Sequence, residues 1–125
     1  MIHGIGTDIV AVARMQAALD RHGESFANRI LAESEMPAYR KAPDSARFLA
    51  KRFAAKEAFA KAFGTGLRAP LTLRAIAVGH DNLGKPHYVL DGALTGLIAQ
   101  RELSSYLSIS DEKEYVVAFA VLATQ

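Results

Sequence analysis

The stretch KRFAAKEAFAKAFGTG, Lys51 to Gly66, carries five charged side chains, and four of them, Arg52, Lys56, Glu57 and Lys61, have the types and spacing to do chemistry. With about 100° of rotation per residue, Phe48, Leu49, Phe53, Phe59 and Phe63 fall within an arc of roughly 140°, an ordinary core-facing stripe, and Arg52 and Lys56 fall inside the same arc. The opposite side carries Ala50, Ala54, Ala55, Ala58 and Ala62, small enough for another backbone or subunit to approach closely. Both faces are therefore buryable, and charges on such a helix need partners. Two readings fit. In one, a solvated ridge carries a Glu57 to Lys61 pair at i and i+4, with Arg52 and Lys56 extending their stems to water. In the other, the side chains surround an anionic ligand, Glu57 binding a cation and Arg52, Lys56 and Lys61 facing phosphate. Periodicity alone does not choose between them.

The elements that must position these residues follow from the rest of the chain. IHGIGTDIV reads as a short strand ending near Asp8, followed by a helix from Val10 to about His22 that stops at Gly23 and carries Arg14 and Arg21. Asp8 itself has the local signature of a helix N-cap. Short helices are expected over Ser25 to Leu31 and Ser34 to Arg40, the latter opened by a Ser cap, and the long helix over Ser45 to Phe63, ended by Gly64 and Gly66. LTLRAIAVGH and KPHYVL read as a hairpin turning at Asp81 to Gly84, Gly92 to Leu103 as a helix, and SYLSIS and YVVAFAVLA as two strands separated by DEKE. That order predicts a single α+β domain spanning 1–125, with a mainly antiparallel sheet packed on the long helix.

Composition narrows the chemistry. The 125 residues, half of them hydrophobic, suffice for one core. No cysteine is present, which excludes disulfides, zinc thiolates and thiol nucleophiles, and His3, His22, His80 and His87 lack zinc spacing and read as structural or surface residues. The net charge of +2 gives no support for nucleic-acid binding. Residues 1–66 carry 10 basic and 7 acidic side chains, so an acidic or phosphorylated partner would meet that half. No run is long and apolar enough to span a membrane and the start lacks a signal-peptide layout, so a cytoplasmic location is expected.

GIGTDIV near the N-terminus, FLAKRFAAKEAFAKAFGTG in the middle and LSISDEKEYVVAFAV at the end occur in the order found in the holo-acyl-carrier-protein synthases. The chain resembles that small class of phosphopantetheinyl transferases over almost its whole length. The resemblance implies a homotrimer with active sites at subunit interfaces, coenzyme A as donor, an acyl carrier protein as acceptor, Mg2+ as cofactor and a place in fatty acid biosynthesis. It implies that Asp8 and Glu57 bind the metal, with Lys61 completing the catalytic set one turn on, and that Arg52, Lys56, Gly64, Thr65, Gly66, Lys85, Pro86 and Ser108 contact coenzyme A. Arg14 and Arg21 would meet the carrier protein. Each has a plainer alternative: an N-cap for Asp8, a Lys61 pair for Glu57, a helix C-cap for Gly64 to Gly66, a hairpin turn for Gly84-Lys85-Pro86 and a solvated surface for Arg21. Asp111 stands where many relatives carry histidine, so a role resting on that histidine does not transfer. Two further functions compete with the enzyme: a module that binds coenzyme A without turnover, and an oligomer in which the charged helix only builds an interface.

Overall fold

The structure is a computed structural model that describes residues 1–124. In chain order the elements are β1 (Ile2–Ala11), α1 (Val12–His22), α2 (Glu24–Ile30), a 3-10 turn (Glu33–Glu35), α3 (Met36–Lys41), α4 (Ser45–Phe63), β2 (Ile76–His80), β3 (Pro86–Leu90), α5 (Gly92–Gln100), β4 (Leu103–Asp111) and β5 (Tyr115–Thr124). The α+β expectation holds, with one change: the strands form two antiparallel sheets, a three-stranded sheet in the order β1-β5-β4 and a β2-β3 hairpin. Helix α4 occupies the predicted span, capped at its start by the Asp44 carboxylate, which accepts from the Arg47 N–H, and at its end by Gly64 in the left-handed region.

Strand alternation decides what α4 meets. On β1, Gly4, Gly6, Asp8 and Val10 face inward, while Ile5, Thr7 and Ile9 face out. On β5, Val116, Ala118, Ala120 and Leu122 are buried against the same helix. The two glycines set the spacing: a Cβ at Gly4 would lie 1.9 Å from the Ala62 carbonyl oxygen and one at Gly6 would lie 2.0 Å from that of Ala58. Backbone therefore rests directly on backbone, through the alanine face of α4, and Asp8 is the next inward position along β1. The opposite side of α4 buries Leu49 and Phe59 and meets α2, α3 and the hairpin.

Several boundaries differ from the sequence reading. β1 runs to Ala11 because its pairing with β5 continues through Val10↔Val116 and Ala11↔Tyr115, so Asp8 sits mid-strand and is not an N-cap. Ser34 lies inside the 3-10 turn, where the Glu35 side chain accepts from the Ala32 N–H, and no Ser cap forms. Leu71 to Ala75 forms turns ahead of β2 rather than strand, and α5 ends at Gln100.

Gly6→Ala should force β1 off α4. Overpacking of this kind costs about 1–3 kcal/mol, and we expect at least that loss in urea denaturation; a variant as stable as the parent would show that the strand can shift freely.

Candidate active site

Asp8 projects from the inner face of β1 toward the last turns of α4. Lys61 answers it: its Nζ donates to Asp8 Oδ1 at 3.1 Å and to the Thr7 carbonyl at 2.9 Å. Glu57, one turn earlier, is half-buried and makes no ion pair within 4 Å among the described residues, so the expected Glu57 to Lys61 bridge is replaced by a bridge from Lys61 to β1. Burial pushes the Glu57 carboxyl above its usual range, the Asp8 charge pushes the same way, and Lys61 and Arg14 offset only part of this. Two carboxylates from different elements thus lie near enough for the charge of one to disfavour that of the other. A hard divalent cation would relieve that repulsion. The donor set suits magnesium: carboxylate oxygens only, and no third His, Asp or Glu joining them among the described residues, which leaves positions for water and phosphate oxygens.

Arg52 and Lys56 require a correction. Both were expected to face phosphate, and both point inward to Glu35, which is 2% exposed. Lys56, at 0% exposure, has its three Nζ protons committed: to Glu35 Oε1 at 2.6 Å, to the Ile30 carbonyl at 2.7 Å and to the Leu73 carbonyl at 2.9 Å. Arg52 uses Nη1 on Glu35 Oε2 at 2.8 Å and on the Val78 carbonyl at 2.9 Å, with its guanidinium over the Phe48 ring. The Glu35 carboxylate accepts two further bonds, from the N–H groups of Ala32 and Val78. A phosphate could reach Lys56 only by displacing these partners. Burial alone would raise the Glu35 carboxyl; the Lys56 charge and the hydrogen bonds from Lys56, Ala32 and Arg52 outweigh it and hold the group below its usual value of 4.5. Burial likewise drives Lys56 down to about 8 against the pull of Glu35. Removing Glu35 would strand both cations, and leaving a buried charge without its partner costs about 3–5 kcal/mol.

The remaining candidates divide among three places. Gly64 and Gly66 hold positive φ values of 107° and 69° just beyond α4, and the Thr65 hydroxyl donates to the Gly66 carbonyl, so this turn is a C-cap whose backbone stays accessible. Lys85, Pro86 and Ser108 come together on a cleft of about 410 Å3 between β3 and β4, with His87, Tyr106 and Phe119 on its walls. Neither Asp8, Glu57 nor Lys61 lines that cleft. Arg14 stacks 5.5 Å from the Phe53 ring centroid and borders an apolar cleft of about 290 Å3 with Met15, Phe26 and Arg29. Arg21 is exposed and does not reach it. Asp111 is bound by Arg47 Nη1 at 2.8 Å and lies 3.7 Å from Lys51 Nζ.

The family model for the 4'-phosphopantetheinyl transferase superfamily matches residues 4–120. The chain belongs to that superfamily. It is 61% identical over 125 residues, the whole of both chains, to a holo-[acyl-carrier-protein] synthase of Azoarcus sp. (strain BH72). The crystal structure of the holo-[acyl-carrier-protein] synthase from Neisseria meningitidis superposes with a TM-score of 0.96 at 46% identity, covering 99% of this chain and all of that one. A holo-(acyl-carrier-protein) synthase from Bacillus anthracis, in complex with CoA (3',5'-ADP), gives 0.84 at 37% identity, covering 100% and 99%.

For this phosphopantetheinyl transferase, sequence reasoning missed three features: the glycine contact behind Asp8, Arg29 beside the Arg14 cleft, and Glu35. Glu35 left one signal, an acidic residue ahead of a helix carrying two inward-facing cations, which require an anion.

Because the folded value of Glu35 is depressed, its contribution is present above the unfolded value near 4.5 and is lost as pH falls through the folded value. The unfolding free energy of Glu35→Gln should therefore lose less on acidification below about pH 4.5 than that of the parent. Parallel acid-side curves from urea titrations would refute this.

Proposed function

We propose that this protein moves 4'-phosphopantetheine from coenzyme A to a serine hydroxyl of an apo-acyl carrier protein and releases adenosine 3',5'-bisphosphate. The observation that carries the reading is the convergence of Asp8, Glu57 and Lys61 in a chain that belongs to the phosphopantetheinyl transferases. In the reaction the serine oxygen forms a bond to the β-phosphorus, the bond from that phosphorus to the bridging oxygen of the bisphosphate breaks, and the serine proton leaves to a base. Negative charge builds on the attacking and leaving oxygens, so positioning and neutralisation dominate the barrier. Asp8 and Glu57 would hold Mg2+, which supplies positive charge to phosphate oxygens when bound. Lys61 has two of its three protons engaged, on Thr7 and Asp8, and its half-exposed ammonium keeps one for a phosphate or leaving oxygen. The accessible backbone of Gly64 to Gly66 stands just past that lysine. The Lys85, Pro86 and Ser108 cleft is the proposed seat of the nucleotide end, a basic and aromatic surface next to exposed hydroxyls.

A single protomer leaves an apolar surface uncovered. Ile5, Ile9, Tyr106, Tyr115, Val117 and Phe119 are exposed on the outer face of the three-stranded sheet, and contiguous exposed apolar patches mark interaction surfaces. We assign it to self-association as a homotrimer, in which sites lie between subunits; this accounts for carboxylates and nucleotide cleft occupying separate places on one chain. Arg14 and the apolar cleft beside it would receive an acidic helix of the carrier protein, with charge setting orientation and encounter rate. The setting is taken to be the cytoplasm and the use fatty acid biosynthesis.

Incubation with Mg2+, coenzyme A and an apo carrier protein should add the mass of phosphopantetheine to the carrier, as read by intact-protein mass spectrometry. No addition would defeat the assignment. Glu57→Gln should cut the rate by about a hundredfold or more while leaving the oligomer intact, whereas loss of assembly without a specific rate defect would favour a purely structural role. Ile9→Glu should shift the protein toward monomer in sedimentation velocity, and unchanged assembly would remove that face from the interface.

A further inference from the structure

Arg52 alone neutralises Glu35, so the three buried charges sum to one surplus positive charge, and that surplus is Lys56. Burying that charge does not itself add stability, since a methionine, one heavy atom shorter, would fill most of the space without bringing a charge out of water. What Lys56 does have is geometry. Its three acceptors come from three separate pieces of backbone and side chain: the end of α2 through Ile30, the 3-10 turn through Glu35, and the loop before β2 through Leu73. An ammonium held at three points ties the middle of α4 to all three segments at once. The next residue on that helix is Glu57, about 100° around the axis and facing β1, with Lys61 one turn beyond. On its other flank α4 is held by β1 itself, at Ala58 and Ala62. A rotation of about 20° would move side-chain tips near the helix surface by about 2 Å, enough to separate Glu57 from Asp8.

We propose that Lys56 is a positioning residue for the transfer reaction: anchored by Glu35 and the Ile30 and Leu73 carbonyls, it fixes the rotation of α4 so that Glu57 and Lys61 face Asp8. This rests on the proposed function for its kinetic consequence, though the geometric claim is independent of turnover. Lys56 touches no reacting atom. It acts through Glu57, and its contribution should appear in catalysis and cation binding rather than in stability or in the affinity for coenzyme A.

The test is Lys56→Met, which retains the neutral Arg52 to Glu35 pair. We expect a thermal transition no lower than a few degrees below the parent's, a kcat reduced by about tenfold to a hundredfold as for small misplacements of reacting groups, and a KM for coenzyme A within a factor of about three, the split of a transition-state effect. Mn2+ titrated into the protein with coenzyme A present, and followed by loss of the free-ion electron paramagnetic resonance signal, should bind about tenfold more weakly. A folded Lys56→Met protein with the parent's kcat and Mn2+ affinity would overturn the inference. Should that variant not fold, Lys56→Gln decides by the same readouts, since it keeps the neutral Arg52 to Glu35 pair and an N–H donor but loses the three-point anchor. Absence of transfer by the parent would count against the proposed function, while the Mn2+ comparison would still decide whether Lys56 positions Glu57.

Discussion

The structure depends on how closely β1 approaches α4. Two inward positions on the strand have no side chain, so the carbonyl groups of Ala58 and Ala62 occupy the space a Cβ would need. Everything near the carboxylates inherits that spacing. Asp8 is the first inward residue past the glycines with a side chain to project, and at this separation Lys61 reaches both its carboxylate and the Thr7 carbonyl. Alanine on the helix and glycine on the strand are two halves of one contact, and the three-stranded sheet extends from it through β5.

Helix α4 sorts its charges by direction. Arg52 and Lys56 turn into the core, where a single carboxylate and main-chain carbonyls replace water; Glu57 and Lys61 turn toward β1 and remain partly wet. Glu57 is consequently held in a surrounding that disfavours its charge while Asp8 stands opposite, an electrostatic debt that a cation can settle. Buried charges are fully satisfied, since no buried side-chain nitrogen or oxygen among the described residues lacks a partner. The half-buried ones are those left for chemistry.

Much of this was legible in the residues. The span of α4, the β2-β3 hairpin and the final strand pair follow from local periodicity and turn chemistry, and the buryability of both helix faces follows from a projection. The bond from Lys61 to Asp8, with Glu57 near enough to feel the Asp8 charge, is different: it joins residues about fifty positions apart, and the family pattern, not spacing, pointed to it. Arg52 and Lys56 failed as ligand candidates because their anion is Glu35, itself in a short irregular turn with no periodicity. β1 was underestimated because its last three residues owe their conformation to pairing with a strand at the far end of the chain. Long-range pairing is what a local reading does not see.

The Glu35 carboxylate receives four donors, two from side chains and two from the main chain. Aspartate would be too short to span them, and glutamine would turn its NH2 group either toward Lys56 and the Ala32 N–H or toward Arg52 and the Val78 N–H. Positions 35, 52 and 56 are therefore tied to one another in evolutionary time. Loss of Glu35 strands two buried cations, whereas loss of one cation leaves a neutral pair, so a lineage should change position 52 or 56 before position 35, and drift at 35 should leave its trace at the other two.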